Sequence, residues 1–244
     1  MALTESIDAS SIDFVLKQLY HLWAQATAWP GLVRLVRLLH GDPSNIGVAE
    51  KLHMRAMLLA RFLHFQDVKV MSALGESGDI FEVENLDHPA LFRRRFEFSN
   101  FSTAKLFTVH AMVSIITCRV LQEANRFLGR DDPSVEKKAT WYSRRIWMSY
   151  PWMQNQAPLA VDYTAALAFS YESGDGDERE FCIRGLRGME AFRRPPPVGE
   201  WTDATIKANA KAFTGRLPFL KTQDPRVEYD GIGCRSGGFP VEME

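Results

Sequence analysis

The chain has 244 residues, 46% hydrophobic and 24% charged, with 29 basic against 30 acidic side chains and a net charge of −1. That balance excludes a disordered or collagen-like chain, and it excludes a global excess of positive charge of the kind that neutralises nucleic-acid phosphates. Three cysteines, Cys118, Cys182 and Cys234, lie 64 and 52 residues apart; too scattered for a disulfide framework or a zinc cage, they point to a reducing, intracellular compartment.

Met1 to Ser10 hold Glu5 and Asp8 and no basic segment followed by an apolar run, so no secretory signal is expected. Phe14, Val15, Leu19, Leu22 and Trp23 then share one side of a 3.6-residue period, predicting a first helix from Ser10-Ser11 that Pro30 stops. Leu32, Leu35, Val36 and Leu39 predict a second, ended by Gly41-Asp42-Pro43-Ser44. A third is expected over 50–65, with Leu52, Met54, Met57, Leu58, Phe62 and Phe65 as its buried side. Between Gly75 and Asn100 the period is lost, and Ile80 to Glu84 fits a short strand or a surface loop equally well.

From Ser99 to Leu128 the helical pattern returns, with Gly129 as its stop, and this is expected to be the central, buried helix. Its longest apolar stretch, Leu106 to Leu121, is interrupted by His110, Ser114, Thr117 and Arg119, which argues against a membrane span. Asp132-Pro133-x-x-Glu136 reads as an N-cap, a first-turn proline and a capping-box acid opening a helix to about Trp152. Helices over 159–171, 178–192 and 202–213 follow, with prolines 195–197 closing the second and a Gly- and Pro-containing tail after the third. The expected architecture is all-α: a single-domain antiparallel array of about seven to eight helices over residues 1–214, followed by an extended tail, 215–244.

No phosphate loop, nucleophile elbow, zinc-protease motif or dinucleotide fingerprint is present. The candidates are polar residues at apolar positions. His110, Ser114 and Thr117 are spaced four and three apart, so they share one face of the central helix and are expected to be hydrogen-bonded by backbone or neighbours, or to line a ligand pocket. His53 and His64, eleven residues apart, would sit ~16 Å from each other on one helix, too far to share a metal; either could act alone as an acid or base. Trp141, Tyr142, Trp147, Tyr150 and Trp152 crowd one helix with Arg144 and Arg145, as core or as an aromatic pocket bearing a cation. Arg93-Arg94-Arg95 and Arg193-Arg194 read as solvated clusters, and Glu172, Asp175 and Asp177 as a surface turn. No cofactor and no metal site are expected.

Several segments resemble one family. Phe101-Ser102-Thr103-Ala104-Lys105-Leu106 leading into Cys118-Arg119-Val120-Leu121 resembles the long helix in the regulatory domain of fungal zinc-cluster transcription factors. Arg145-Ile146-Trp147-Met148-Ser149-Tyr150-Pro151-Trp152 looks like that family's Ile-x-x-Ser-x-x-aromatic segment. Pro158-Leu159, Glu178-Arg179-Glu180-Phe181-Cys182 and the upstream Trp23, Trp29-Pro30 and Leu32-Val33 are similar to further elements, so the likeness spans roughly residues 12 to 215. The resemblance implies an all-helical, nuclear or cytoplasmic regulatory module linked to secondary-metabolite gene clusters. The family's six-cysteine DNA-reading cluster has no counterpart here, so no sequence-specific DNA binding by this chain alone is expected, and no membrane partner. Its expected partner is a small apolar or aromatic metabolite, or a regulatory protein. The alternative is a cofactor-free cyclase, isomerase or dehydratase acting on a polyketide or terpenoid intermediate. His110 would then be the acid or base and Arg145 would stabilise an anion, with Ser114, Thr117, Arg119, Trp147, Tyr150 and His53 lining the pocket.

Overall fold

The computed structural model describes residues 9–156, 163–190 and 201–217. The order is α1 (Ala9–Ala26), α2 (Trp29–Gly41), α3 (Ile46–Gln66), a π turn (Asp67–Met71), α4 (Ser72–Glu76), β1 (Ile80–Glu84), β2 (Arg94–Phe98), α5 (Phe101–Phe127), α6 (Pro133–Asn155), α7 (Tyr163–Ser170), a 3-10 turn (Tyr171–Ser173), α8 (Gly176–Glu190) and α9 (Asp203–Phe213). The fold is all-α, as expected, with one small two-stranded antiparallel hairpin that pairs Ile80 with Phe98 and Glu84 with Arg94.

The central position falls to α5, on which α1, α2, α3, α6 and α7 all pack. Asn100 caps it by accepting from the Thr103 N–H, and Gly129, at φ +63°, turns the chain away at its end. By length and hydropathy α5 could cross a membrane, yet 83% of its most apolar window is buried inside the fold. Its apolar surface is therefore used against other helices.

Several boundaries differ from those expected. Pro30 does not stop α1, which ends at Ala26; it stands in the first turn of α2, where its missing N–H costs nothing. α3 begins earlier than expected, at Ile46, with Asn45 as its cap. Its core side is Leu52, Ala56, Leu59 and Leu63, whereas Met54, Leu58 and Phe65 face outward. Ile80 to Glu84 is a strand because Arg94 to Phe98 lies beside it, a pairing that periodicity could not supply.

Pro151 lies inside α6, which runs on to Asn155. An interior proline takes one donor out of the ladder and pushes on the carbonyl four residues back. One turn earlier on the same helix the Tyr163 phenol donates to the Ile146 carbonyl and ties α7 to α6. Asp175 and Glu178 form a reciprocal cap at the start of α8, each accepting from the other's N–H, so the acidic run there is a helix start. Thr202 and Thr205 do the same for α9. The expected helix starts at Pro158-Leu159, the triple proline 195–197, Arg193-Arg194, Cys234 and the tail from residue 218 lie outside the described residues.

Candidate functional site

Where α3 gives way to the wide π turn, Asp67 is carried toward α6 and meets Arg145, Nη1 to Oδ1 2.5 Å, across 78 residues of sequence. Both side chains are largely buried, 13% and 8% exposed. Three rings surround the guanidinium: its carbon lies 4.1 Å from the Phe107 centroid, 4.7 Å from Trp141 and 5.9 Å from Tyr142. A cation placed over ring faces in a dry site is held by the ring quadrupoles as well as by its carboxylate. Short π segments recur at functional sites, and this one begins at Asp67.

Arg145 and Asp67 form part of the wall of an open groove of about 600 Å³. Val68, Met71, Ser72 and Gly75 line it from the π turn and α4, Ile80, Phe81, Glu82 and Phe96 from the hairpin, Phe107 from α5, and Trp141, Arg144 and Met148 from α6. Its lining is mostly apolar, with a few polar groups, as in small-ligand sites. Among the charged lining groups, Asp67 is paired with Arg145 and Glu82 with Arg94 at 3.4 Å. Arg144, exposed at the rim, has no ion pair among the described residues.

Behind the Asp67–Arg145 pair sits His110, only 1% exposed and outside the groove lining. Its Nε2 lies 2.9 Å from the Leu63 carbonyl, which fixes Nε2 as the donor, and its Nδ1 lies 4.0 Å from Asp67 Oδ1. Burial pushes its pKa down to about 4, the Leu63 bond opposing, Arg145 adding to the fall and Asp67 resisting it. Near neutral pH it is an uncharged ring whose Nδ1 lone pair finds no donor among the described residues. Burial also lifts the neighbouring Tyr142 phenol to about 12; Asp67 adds to the rise, and Ser114 and Arg145 oppose it.

The other candidate residues are dispersed. Thr117 Oγ1 donates to the Val113 carbonyl of its own helix. Ser114 Oγ is buried with no bond of ordinary hydrogen-bond geometry among the described residues. The Trp147 indole donates to Ser170 Oγ at 2.9 Å and stacks on Phe92, and Tyr150 packs edge-on against Phe181, so both belong to the core. His53 Nδ1 and Asn125 Oδ1 are 3.0 Å apart, while His64 is exposed.

Arg119 is a cross-link between elements. It bonds Glu136 of α6, Gln122 of its own helix and Ser173 of the 3-10 turn, and Glu172 lies 3.7 Å away. Glu172 also accepts from Arg216 beyond α9, so it is no free surface carboxylate. Burial acts to raise the Glu136 carboxyl, but hydrogen bonds from Arg119 and Gln122 outweigh it and hold it below its ordinary value.

Among the described residues no group of three or more His, Cys, Asp or Glu side chains could hold a metal ion. Cys118 and Cys182 are free and buried, and burial raises each thiol to about 12, which leaves them inert as nucleophiles.

Of the residues expected from sequence to be catalytic or pocket-lining, only Arg145 lines the groove; Trp141 and Arg144, expected in the aromatic cluster around it, line it as well. Asp67, Phe107 and Met71 were missed. No local pattern named Asp67 as the partner of Arg145, because the two lie 78 residues apart. The chain matches no protein-family model, no curated protein and no solved structure.

Proposed function

We propose that the chain is a helical binding module of regulatory type, whose groove between the π turn, the hairpin and α6 accepts a flat apolar or aromatic metabolite bearing a negative charge. The observation that carries this reading is the buried Arg145, boxed by three rings and neutralised by Asp67, in the wall of a mostly apolar groove. The rings and methionines supply contact area, and Arg144 at the rim supplies a cation for the ligand's anionic edge.

Binding is favoured over catalysis by the state of the polar groups. Asp67 and Arg145 satisfy each other, and the one candidate base, His110, sits behind them with its Nε2 engaged. A cofactor-free cyclase, isomerase or dehydratase would need that histidine in contact with substrate. The resemblance to fungal zinc-cluster regulators supports the same reading: an intracellular domain tied to secondary metabolism, which senses a metabolite or a partner protein and does not read DNA by itself.

The test uses 8-anilinonaphthalene-1-sulfonate, a flat aromatic anion, as fluorescent probe. Saturable one-to-one binding is expected, weakened at least fivefold by Trp141→Ala and by Arg144→Glu, both exposed positions whose replacement leaves the core intact. Binding that ignores both substitutions would reject the groove as the site.

A further inference from the structure

The outer side of α3 carries a second feature, which meets the groove only at Val68. Met54, Leu58 and Phe65 are 62%, 60% and 62% exposed. With Arg61 they recur at intervals of four, three and four residues, and Val68, 57% exposed in the π turn, follows after three more. Alternating steps of four and three are the a and d spacing of a helix–helix seam. The side of α3 that meets α5 is already formed by Leu52, Ala56, Leu59 and Leu63. At about 100° per residue, Met54, Leu58 and Phe65 point some 150° away from those four. The packing of α3 on α5 does not use these three residues.

The surroundings of the row are basic. Lys51 precedes it at a seam position, Arg61 interrupts it, and Arg55 and Lys69 flank it; none has an ion pair among the described residues. Lys69 Nζ lies 5.9 Å from the Phe65 ring, and the Arg55 guanidinium reaches over Gly31 of α2. α2 adds exposed Arg34 and Arg37 and has no acid, while Glu50 is the sole acidic residue of α3. A chain of net charge −1 thus places cations without ion pairs among the described residues around an exposed apolar row.

We propose that this row is the docking seam for an acidic amphipathic helix of a different protein. The partner's a and d residues would cover Met54, Leu58 and Phe65, one carboxylate would face Arg61, and others would lie beside Lys51, Arg55 and Lys69. A charged residue at a seam position sets register, which is the role of Arg61. A second copy of this chain is disfavoured, because α3 against α3 would place these cations against their own kind. The proposal stands whatever occupies the groove.

The probe is an acetylated, amidated four-heptad peptide with Leu at a and d, Glu at e and g, and one Glu at the d position that meets Arg61. Its counterpart carries Lys at every Glu. By calorimetry with the full chain, the acidic peptide binds saturably and the basic one at least tenfold more weakly. Leu58→Ser with Phe65→Ser lowers acidic-peptide affinity at least tenfold, with helicity checked by circular dichroism. Arg61→Glu, at an exposed position, shifts preference toward the basic peptide and decides the matter should the serine variant lose its fold. Equal binding of the two peptides, or saturable binding of neither, overturns the proposal. So does a micromolar dimer in light scattering that Leu58→Ser abolishes, or capture by phosphatidylserine vesicles in preference to the acidic peptide.

Discussion

His110 shows what a single buried residue does to the pH response. Its folded pKa, about 4, lies below the ordinary 6.5, so between those values the unfolded chain binds a proton that the folded site refuses. Stability is therefore level above about pH 6.5 and falls as pH drops toward 4, by up to about 3 kcal/mol from this group. His110→Gln keeps a donor for the Leu63 carbonyl and removes the titration; urea unfolding at pH 7 and pH 5 should show a smaller loss than in the parent. An unchanged loss would assign the acid sensitivity to other groups. Asp67 and Arg145 make a second test. Asp67→Ala strands a buried guanidinium and should cost about 3 kcal/mol, whereas Asp67→Leu with Arg145→Met should cost much less, since removing both charges leaves none unpaired. A double variant as unstable as the single one would mean that the pair is not what holds this corner. The polar face of α5 was legible because a spacing of four and three residues is a statement about one helix. The salt bridge was not, because its partners are 78 positions apart.

At the scale of elements, start and stop signals carried most of the information. Asn100, Asp132, Gly129 and the Gly41–Ser44 cluster all act locally, and each marks a boundary within a residue or two. Proline was ambiguous for a physical reason: in the first turn it is harmless, in the interior it bends, and only the tertiary setting says which. Pro30 and Pro151 show the two outcomes. Glycine offers a sharper test. Gly129 and Gly215 both have positive φ, but a Cβ on Gly129 would meet open space, while one on Gly215 would lie 2.8 Å from the Val33 carbonyl of α2. Gly129→Ala should cost about 1 kcal/mol from backbone strain alone, and Gly215→Ala should exceed it by about 1 kcal/mol or more as α9 is pushed off α2. Thermal unfolding of the two variants side by side checks this, and equal shifts would show that the contact at Gly215 relaxes freely.

Across the described residues, two surfaces are open to binding by the proposals above: the groove beside Arg145 and the outer row of α3. They can be separated by experiment, since Trp141→Ala should leave peptide binding unchanged and Leu58→Ser should leave binding of the fluorescent anion unchanged. The sequence alone determined the all-α class, the Asp132 cap of α6, the Gly129 stop and the burial of α5, because these follow from periodicity and from chemistry within a few residues. Tertiary structure decided which side of α3 faces water, that β2 pairs with β1, and that Asp67 meets Arg145. An amphipathic period marks an apolar side only up to the point where two sides are both apolar. When Met54, Leu58 and Phe65 compete with Leu52, Leu59 and Leu63 for the core, the outcome depends on the shape of α5 and its neighbours, which no local pattern contains.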